Sequence, residues 1–299
     1  MKRRLLRIAT ILLCLITCSV VRAEEKSIAQ LTTAAEKGDA DAQYRLAQAY
    51  IRGIGVKKNL TKAFEFIKQA ADQGHAEATG GVGYFHANGF GVKKDLTVAA
   101  EWFRKGAEEG GAKAQLNYGQ ALLNGRGIPM DEAGGMKWIE KALAQGLPHA
   151  WFVKGEFFYH GAHGHQQSYE KAREFIEKAA DADHASAENM LGSMYQEGTG
   201  TPIDLTKAEY WFRKSAEQGD PKGMSNLGQL LGPDGPDASK HVEALKWLLL
   251  AQRANEPQAR NLLNEIFRTR PPEVVKEARE LVAEFKPRPS LEGKPASEK

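Results

Sequence analysis

The chain has 299 residues, 42% of them apolar and 26% charged, with a formal net charge of +3 and two cysteines. A single globule of that length sits near the size at which one core stops growing, whereas a repeat array escapes the limit by extending its core along one axis. The basic balance does not support nucleic-acid binding: Lys2, Arg3, Arg4, Arg7 and Arg22 are five of the 41 basic residues, and without them 36 face 38 acidic ones, a net charge of −2.

The first element reads as an export signal. Lys2, Arg3, Arg4 and Arg7 precede an apolar run from Ile8 to Val21, and Val21-Arg22-Ala23 closes it. The run has 14 residues, against the roughly 20 that a helix needs to cross a bilayer, so cleavage after Ala23 is expected rather than anchoring. Neither Cys14 nor Cys18 follows the small residue that usually precedes a lipidated cysteine. Both cysteines leave with the signal, so the mature chain is expected in the periplasm or outside the cell, without disulfides, a thiol nucleophile or a stable membrane span.

From residue 28 the chain repeats itself. Ala35-Glu-Lys-Gly38-Asp-Ala-Asp-Ala42 returns as Ala71-Asp-Gln-Gly74-His-Ala-Glu-Ala78 and as Ala107-Glu-Glu-Gly110-Gly-Ala-Lys-Ala114. The turn position falls at Gly38, Gly74, Gly110, Gly146, Asp183, Gly219 and Asn255, at intervals of 36, 36, 36, 37, 36 and 36. Residues that tolerate a left-handed backbone mark this column as a corner between helices. A second corner follows about 15 residues on, at Gly53-Ile-Gly55, Gly89-Phe-Gly91, Gly125-Arg-Gly127 and Gly198-Thr-Gly200. Two corners per period leave two helices of roughly 12 to 14 residues.

The first helix of each pair carries an aromatic column, Phe66, Trp102, Trp138, Phe175, Trp211 and Trp247, followed by an apolar neighbour, Ile67, Phe103, Ile139, Ile176, Phe212 and Leu248. The second helix carries small residues, Ala42, Ala78, Ala114, Ala150, Ala187, Gly223 and Ala259, and five positions on Ala47, Gly83, Gly119, Gly155, Gly192 and Gly228. Glycine inside a helix costs about 0.5 to 1 kcal/mol against alanine, so its recurrence implies close helix approach, with the large aromatics packing over the small residues.

The Ala-Glu-x-Gly-x-Ala-x-Ala pattern, the Gly-x-Gly-Val loop and the aromatic before the alanines resemble the Sel-one-like repeat, a relative of the tetratricopeptide repeat. The resemblance spans about residues 28 to 267. It implies an all-α fold, an α/α solenoid of about seven antiparallel helix pairs wound as a superhelix, and work as an adaptor or scaffold for protein partners in the cell envelope. Repeats are expected near 28–63, 64–99, 100–135, 136–172, 173–208, 209–244 and 245–270.

Gln30 stands where later repeats place an aromatic, which marks a weakened N-terminal cap. Pro272 opens a capping helix, 272–285, with Val274, Val275, Ala278, Leu281, Val282 and Phe285 on one face. Residues 286–299, with prolines, lysines and small polar residues, are expected to form a disordered tail.

Little in the chain speaks for catalysis. Ser168-Tyr-Glu-Lys171 matches Ser-x-x-Lys without Ser-Asp-Asn or Lys-Thr-Gly, and reads as a helix cap. No phosphate loop and no His-Glu-x-x-His occurs. No catalytic residue and no cofactor is expected. The resemblance also implies an alternative, an envelope hydrolase or binder akin to cysteine-rich members linked to β-lactam hydrolysis, though this chain lacks their cysteines. A wall-glycan-binding module that stacks sugars on Trp151 and Tyr159 is a further alternative.

The fourth repeat breaks the pattern. Its second corner is one residue longer and holds His160, His163 and His165, a weak metal candidate without a carboxylate or cysteine to complete it. Lys154 stands in an otherwise apolar column, Val153 in a usually polar one, and Trp151 is the only tryptophan outside the aromatic column. Trp151, Lys154 and Tyr159 are therefore candidate partner contacts, with local repacking and a snorkelling lysine as the other reading. The basic residues on the first helices, among them Lys105, Lys141, Lys178 and Lys214, interleave with glutamates and read as a solvated face.

Overall fold

A computed structural model describes residues 27–232, 238–269 and 271–288. The expected signal peptide, 1–23, and residues 289–299 of the expected tail lie outside them. Every regular element among the described residues is an α-helix. None of these helices is long and apolar enough to cross a membrane.

The chain divides into two compact units, the first ending at Gln145 and the second beginning at Gly146. The first holds α1 (27–36), α2 (Ala40–Arg52), α3 (Leu60–Asp72), α4 (Ala76–Asn88), α5 (Leu96–Glu108), α6 (Ala112–Asn124) and α7 (Glu132–Ala144). The second holds α8 (Pro148–His160), α9 (Tyr169–Asp181), α10 (Ala185–Glu197), α11 (Leu205–Glu217), α12 (Pro221–Leu231), α13 (Ala238–Arg253), α14 (Pro257–Thr269) and α15 (Pro272–Glu284). Inside each unit consecutive helices pack as antiparallel pairs in a solenoid. The most extensive packing joins the second helix of one pair to the first helix of the next, as in α4 with α5 and α10 with α11. Neighbouring repeats thus depend on one another for burial.

Short polar residues start the helices and left-handed residues end them. Asn59, Asp95, Asp131, Ser168 and Asp204 each accept a first-turn N–H of the helix they open. Ser168 accepts from the Lys171 N–H at 3.3 Å, so the Ser-x-x-Lys match is a capping turn. The first corners are left-handed throughout, including Asp183 at φ +68° and Asn255 at φ +63°. At the second corners Gly91 and Gly200 are left-handed and press on backbone at the start of the preceding first helix, at Leu60 and Tyr169; a Cβ there would collide.

The core departs from the sequence expectation in one detail. The side chains that nest against the glycines come from the column after the aromatics: a Cβ on Gly83 would stand 2.6 Å from Phe103 Cδ1, and one on Gly192 2.6 Å from Phe212 Cδ1. Ile139, Ile176 and Leu248 meet Gly119, Gly155 and Gly228 in the same way. The aromatic column itself is half-buried at Phe66, Trp102, Trp138, Phe175 and Trp211. One residue of helix is about 100° of turn, which is enough to move the larger ring from the seam to its margin.

Both ends are capped. Leu31 and Ala34 of α1 cover a small cluster of Ala35, Ala42 and Leu46. In α15, Ala278 and Val282 are buried, while Val274 and Phe285 pack on the core from its edge. Leu281, expected on the same face, is exposed, so the buried stripe is narrower than predicted. Residues 286–288 lie against the solenoid: Pro287 stands over Gly219, and the Arg288 N–H donates to the Glu217 carbonyl.

Candidate functional site

Four half-buried aromatics of the first helices, Trp102, Trp138, Phe175 and Trp211, each carry a lysine ammonium. Lys68 and Lys105 both lie 5.1 Å from the Trp102 ring centre, Lys141 3.7 Å from Trp138, Lys178 5.4 Å from Phe175 and Lys214 4.8 Å from Trp211. Four of these lysines follow their aromatic by three residues, one helical turn, so the 36-residue period reproduces the pair. The basic residues read from the sequence as merely solvated are therefore seated on rings. In the first unit this makes a row of Phe66, Trp102 and Trp138, widened by Tyr50 stacked at 6.0 Å on Phe66 and Tyr118 at 5.7 Å from Trp138. Trp247, by contrast, is buried, with Phe285 set against it at 5.3 Å.

The three residues singled out on α8 do not form one cluster. Trp151 is half-buried and packs against the core of the second unit; a Cβ on Gly146 would lie 3.8 Å from its six-membered ring. Lys154 is 9% exposed and lies 5.9 Å from the Phe158 ring, which stacks on Phe175. Val153 is buried beside it. Tyr159 stands at the opposite end of α8 from Trp151, 5.1 Å from Tyr169. Burial, then the Glu197 charge and Tyr169, push its hydroxyl up from the usual tyrosine range, while a hydrogen bond with Thr199 pulls it down.

The histidine loop is accounted for by packing. His163 is the additional residue of the long corner, left-handed at φ +52°, with its ring 4.6 Å from Phe157. His165 takes the place that Val56, Val92 and Ile128 hold in other loops; its ring lies 4.7 Å from Phe158 and its Nδ1 2.8 Å from the His163 carbonyl. His160 packs at 5.1 Å against Tyr159. No group of three His, Cys, Asp or Glu with metal-holding spacing occurs among the described residues.

A buried polar rung was not foreseen. The residue after the small column is Gln43, Thr79, Gln115, Trp151 and Glu188 in successive repeats. Gln73 donates to Gln43 at 2.8 Å, Gln145 to Gln115 at 2.8 Å and Gln218 to Glu188 at 2.7 Å, always from 30 residues on. At the fourth repeat the corresponding positions hold Trp151 and Ala182, so the polar pair is not repeated there. Glu188 is fully buried, with Lys214 Nζ at 2.9 Å. Burial pushes its carboxyl up from the usual range against the pull of Lys214, and nearby Asp183 adds to the rise. The signal was present in the sequence as polar residues recurring beside the alanines, but period alone does not say which polar columns are inside.

Comparison with known proteins adds an independent reading. A family model described as Sel1 repeat matches residues 40–75, 76–111, 112–147, 155–184, 185–220 and 221–255. Its fourth match begins only at Gly155, leaving out the stretch with Trp151, Val153 and Lys154. A crystal structure of a Sel1 repeat protein from Oxalobacter formigenes superposes with a TM-score of 0.60 at 27% identity, covering 79% of this chain and 94% of that one. An immunity protein of Pseudomonas aeruginosa shares the fold with a TM-score of 0.52 at 20% identity, covering 85% and 84%. An uncharacterised protein of Neisseria meningitidis is 28% identical over 120 residues, 40% of this chain and 24% of that protein. The chain thus spans a quarter or less of the length of the curated relatives it matches.

Proposed function

The chain belongs to the Sel1 repeat family, and from that premise we propose that it is an exported, non-catalytic scaffold that holds a protein partner in the cell envelope through the aromatic and basic face of its first helices. Helical scaffolding for protein interaction is the general work of this family. The observation that carries the assignment to a face is the half-exposed aromatic column, with a lysine over the rings of Trp102, Trp138, Phe175 and Trp211. Aromatic anchors partly free of the core, flanked by cations, are the residues that dominate the energetics of protein interfaces. In the first unit they offer a row with apolar grip and positive rim, suited to an acidic or amphipathic segment of a partner. Trp151, Lys154 and Tyr159 are secondary candidates at the start of the second unit, where the repeat pattern lapses.

Cross-linking in intact cells tests the reading. Lys105→Glu and Lys141→Glu together are expected to reverse the rim charge without entering the core, and to reduce partner capture at least ten-fold while the thermal transition stays in place. Unchanged capture would overturn the assignment to this face. Sequencing the N-terminus of the protein from the periplasmic fraction is expected to begin at Glu24; recovery only with the first residues intact and cell-associated would overturn export. Incubation with a fluorescent β-lactam is expected to give neither turnover nor labelling.

A further inference from the structure

The corner column Gly38, Gly74, Gly110, Gly146, Asp183, Gly219, Asn255 contains one acidic residue. Asp183 adopts φ +68°, a left-handed backbone that strains an L residue and that glycine takes without penalty. Its side chain is 7% exposed, and its carboxylate accepts from Arg288 Nη2 at 2.9 Å, across 105 residues of sequence. A strained residue with an inward carboxylate invites a reason, and the Arg288 guanidinium is one partner it meets.

Arg288 reaches it as part of an extended strand. Phe285 leaves α15 in extended conformation and lies on Trp247. Pro287 stands over Gly219, where the missing side chain leaves room; a Cβ there would come within 3.3 Å of it. The Arg288 N–H donates to the Glu217 carbonyl at 2.6 Å, one of the last-turn carbonyls of α11 that the helix itself leaves open. An aromatic ledge, a glycine gap, a helix-end carbonyl and a buried carboxylate therefore receive an aromatic, a proline, a backbone N–H and an arginine in order along one strand. The Arg288 side chain remains 39% exposed, so the strand is held by a few contacts at the rim.

We propose that this surface of the second unit is a binding site for an extended peptide segment with an aromatic residue followed two and three positions later by Pro-Arg, and that residues 285–288 occupy it in cis as a tethered competitor. The part concerning a partner rests on the scaffold reading above. The site itself does not, and the following assay addresses it without any cellular partner.

A fluorescein-labelled peptide of the sequence Phe285–Ser290 is titrated by anisotropy into the full chain in three forms. Arg288→Ala vacates the carboxylate and is expected to bind saturably. The unaltered chain is expected to bind at least ten-fold more weakly, because a tethered strand competes at an effective concentration on the order of millimolar. Arg288→Ala combined with Asp183→Asn is expected to lose binding, since asparagine keeps the left-handed backbone but not the charge; thermal unfolding checks that this form is folded. Absence of saturable binding to Arg288→Ala, equal affinity for the unaltered chain, or full affinity in the folded double variant would each overturn the proposal.

Discussion

His184 Nε2 lies 3.1 Å from His149 Nδ1, and His184 Nδ1 accepts the Ala187 N–H that opens α10. Three repeats earlier His75 caps α4 in the same way, with Asp41 at 3.2 Å from its Nε2. Asp41 and His149 are the same position of the repeat. Where the earlier repeat sets a carboxylate against the capping imidazole, this one sets a second imidazole, and Phe152 stacks on His184 at 4.9 Å.

This geometry makes stability sensitive to acid. Burial, opposed more weakly by a backbone hydrogen bond and by Asp220, lowers His184 from 6.5 to about 4. Between those values the unfolded chain takes up a proton that the folded chain refuses. The contribution is complete above about pH 6.5 and is lost as the pH falls towards about 4, by no more than about 3 kcal/mol. The melting temperature is expected to fall between about pH 7 and about pH 4.5, and His184→Asn, which retains a capping side chain, is expected to flatten that slope. An identical slope in the variant would assign the acid sensitivity elsewhere.

The glycine seam is expected to resist enlargement. Gly192→Ala places a methyl 2.6 Å from a fully buried Phe212. Overpacking of about 1 to 3 kcal/mol should outweigh a helix-propensity gain of about 1 kcal/mol. Gly81→Ala, whose methyl would meet Ile67 at 3.4 Å, is the control and should leave the urea midpoint unchanged or raised. A stable Gly192→Ala protein would mean that the seam is looser than its spacing.

At the buried rung, Glu188→Gln should be tolerated within about 1 kcal/mol, because Gln43 and Gln115 accept the equivalent bond from Gln73 and Gln145. Glu188→Ala leaves Gln218 without its acceptor and Lys214 without its partner, and should cost about 1 to 3 kcal/mol. Urea unfolding separates the two; equal losses would show that charge, and not the hydrogen bond, is what the position supplies.

Ser168→Ala tests the capping turn against chemistry. Loss of the bond to the Lys171 N–H should lower stability by about 1 kcal/mol. It should leave any reactivity towards a β-lactam at the background of the unaltered chain. A fall in labelling that tracks the substitution would instead give Ser168 a nucleophilic role.

Part of the candidate site was legible in advance. The aromatic column and the lysines one turn after it stand in plain sequence, but whether a lysine covers a ring or points to solvent depends on how deep the ring sits. That depth is set by the residue beside it, Phe103 or Phe212, which takes the glycine seam. Lys154 was visible as an exception to its column, and His165 as part of a longer, histidine-rich corner. Their surroundings, Phe158 for both, come from packing around α8 that no column records.

Sequence by itself determined the helices, their corners, the repeat and the family, because each of these rests on contacts within one period or between adjacent ones, and such contacts recur with the residues that make them. Tertiary structure alone decided the one-off pairings: Glu188 with Lys214, and above all Arg288 with Asp183. A contact made once leaves no period, and its existence depends on where α15 delivers the strand that follows it.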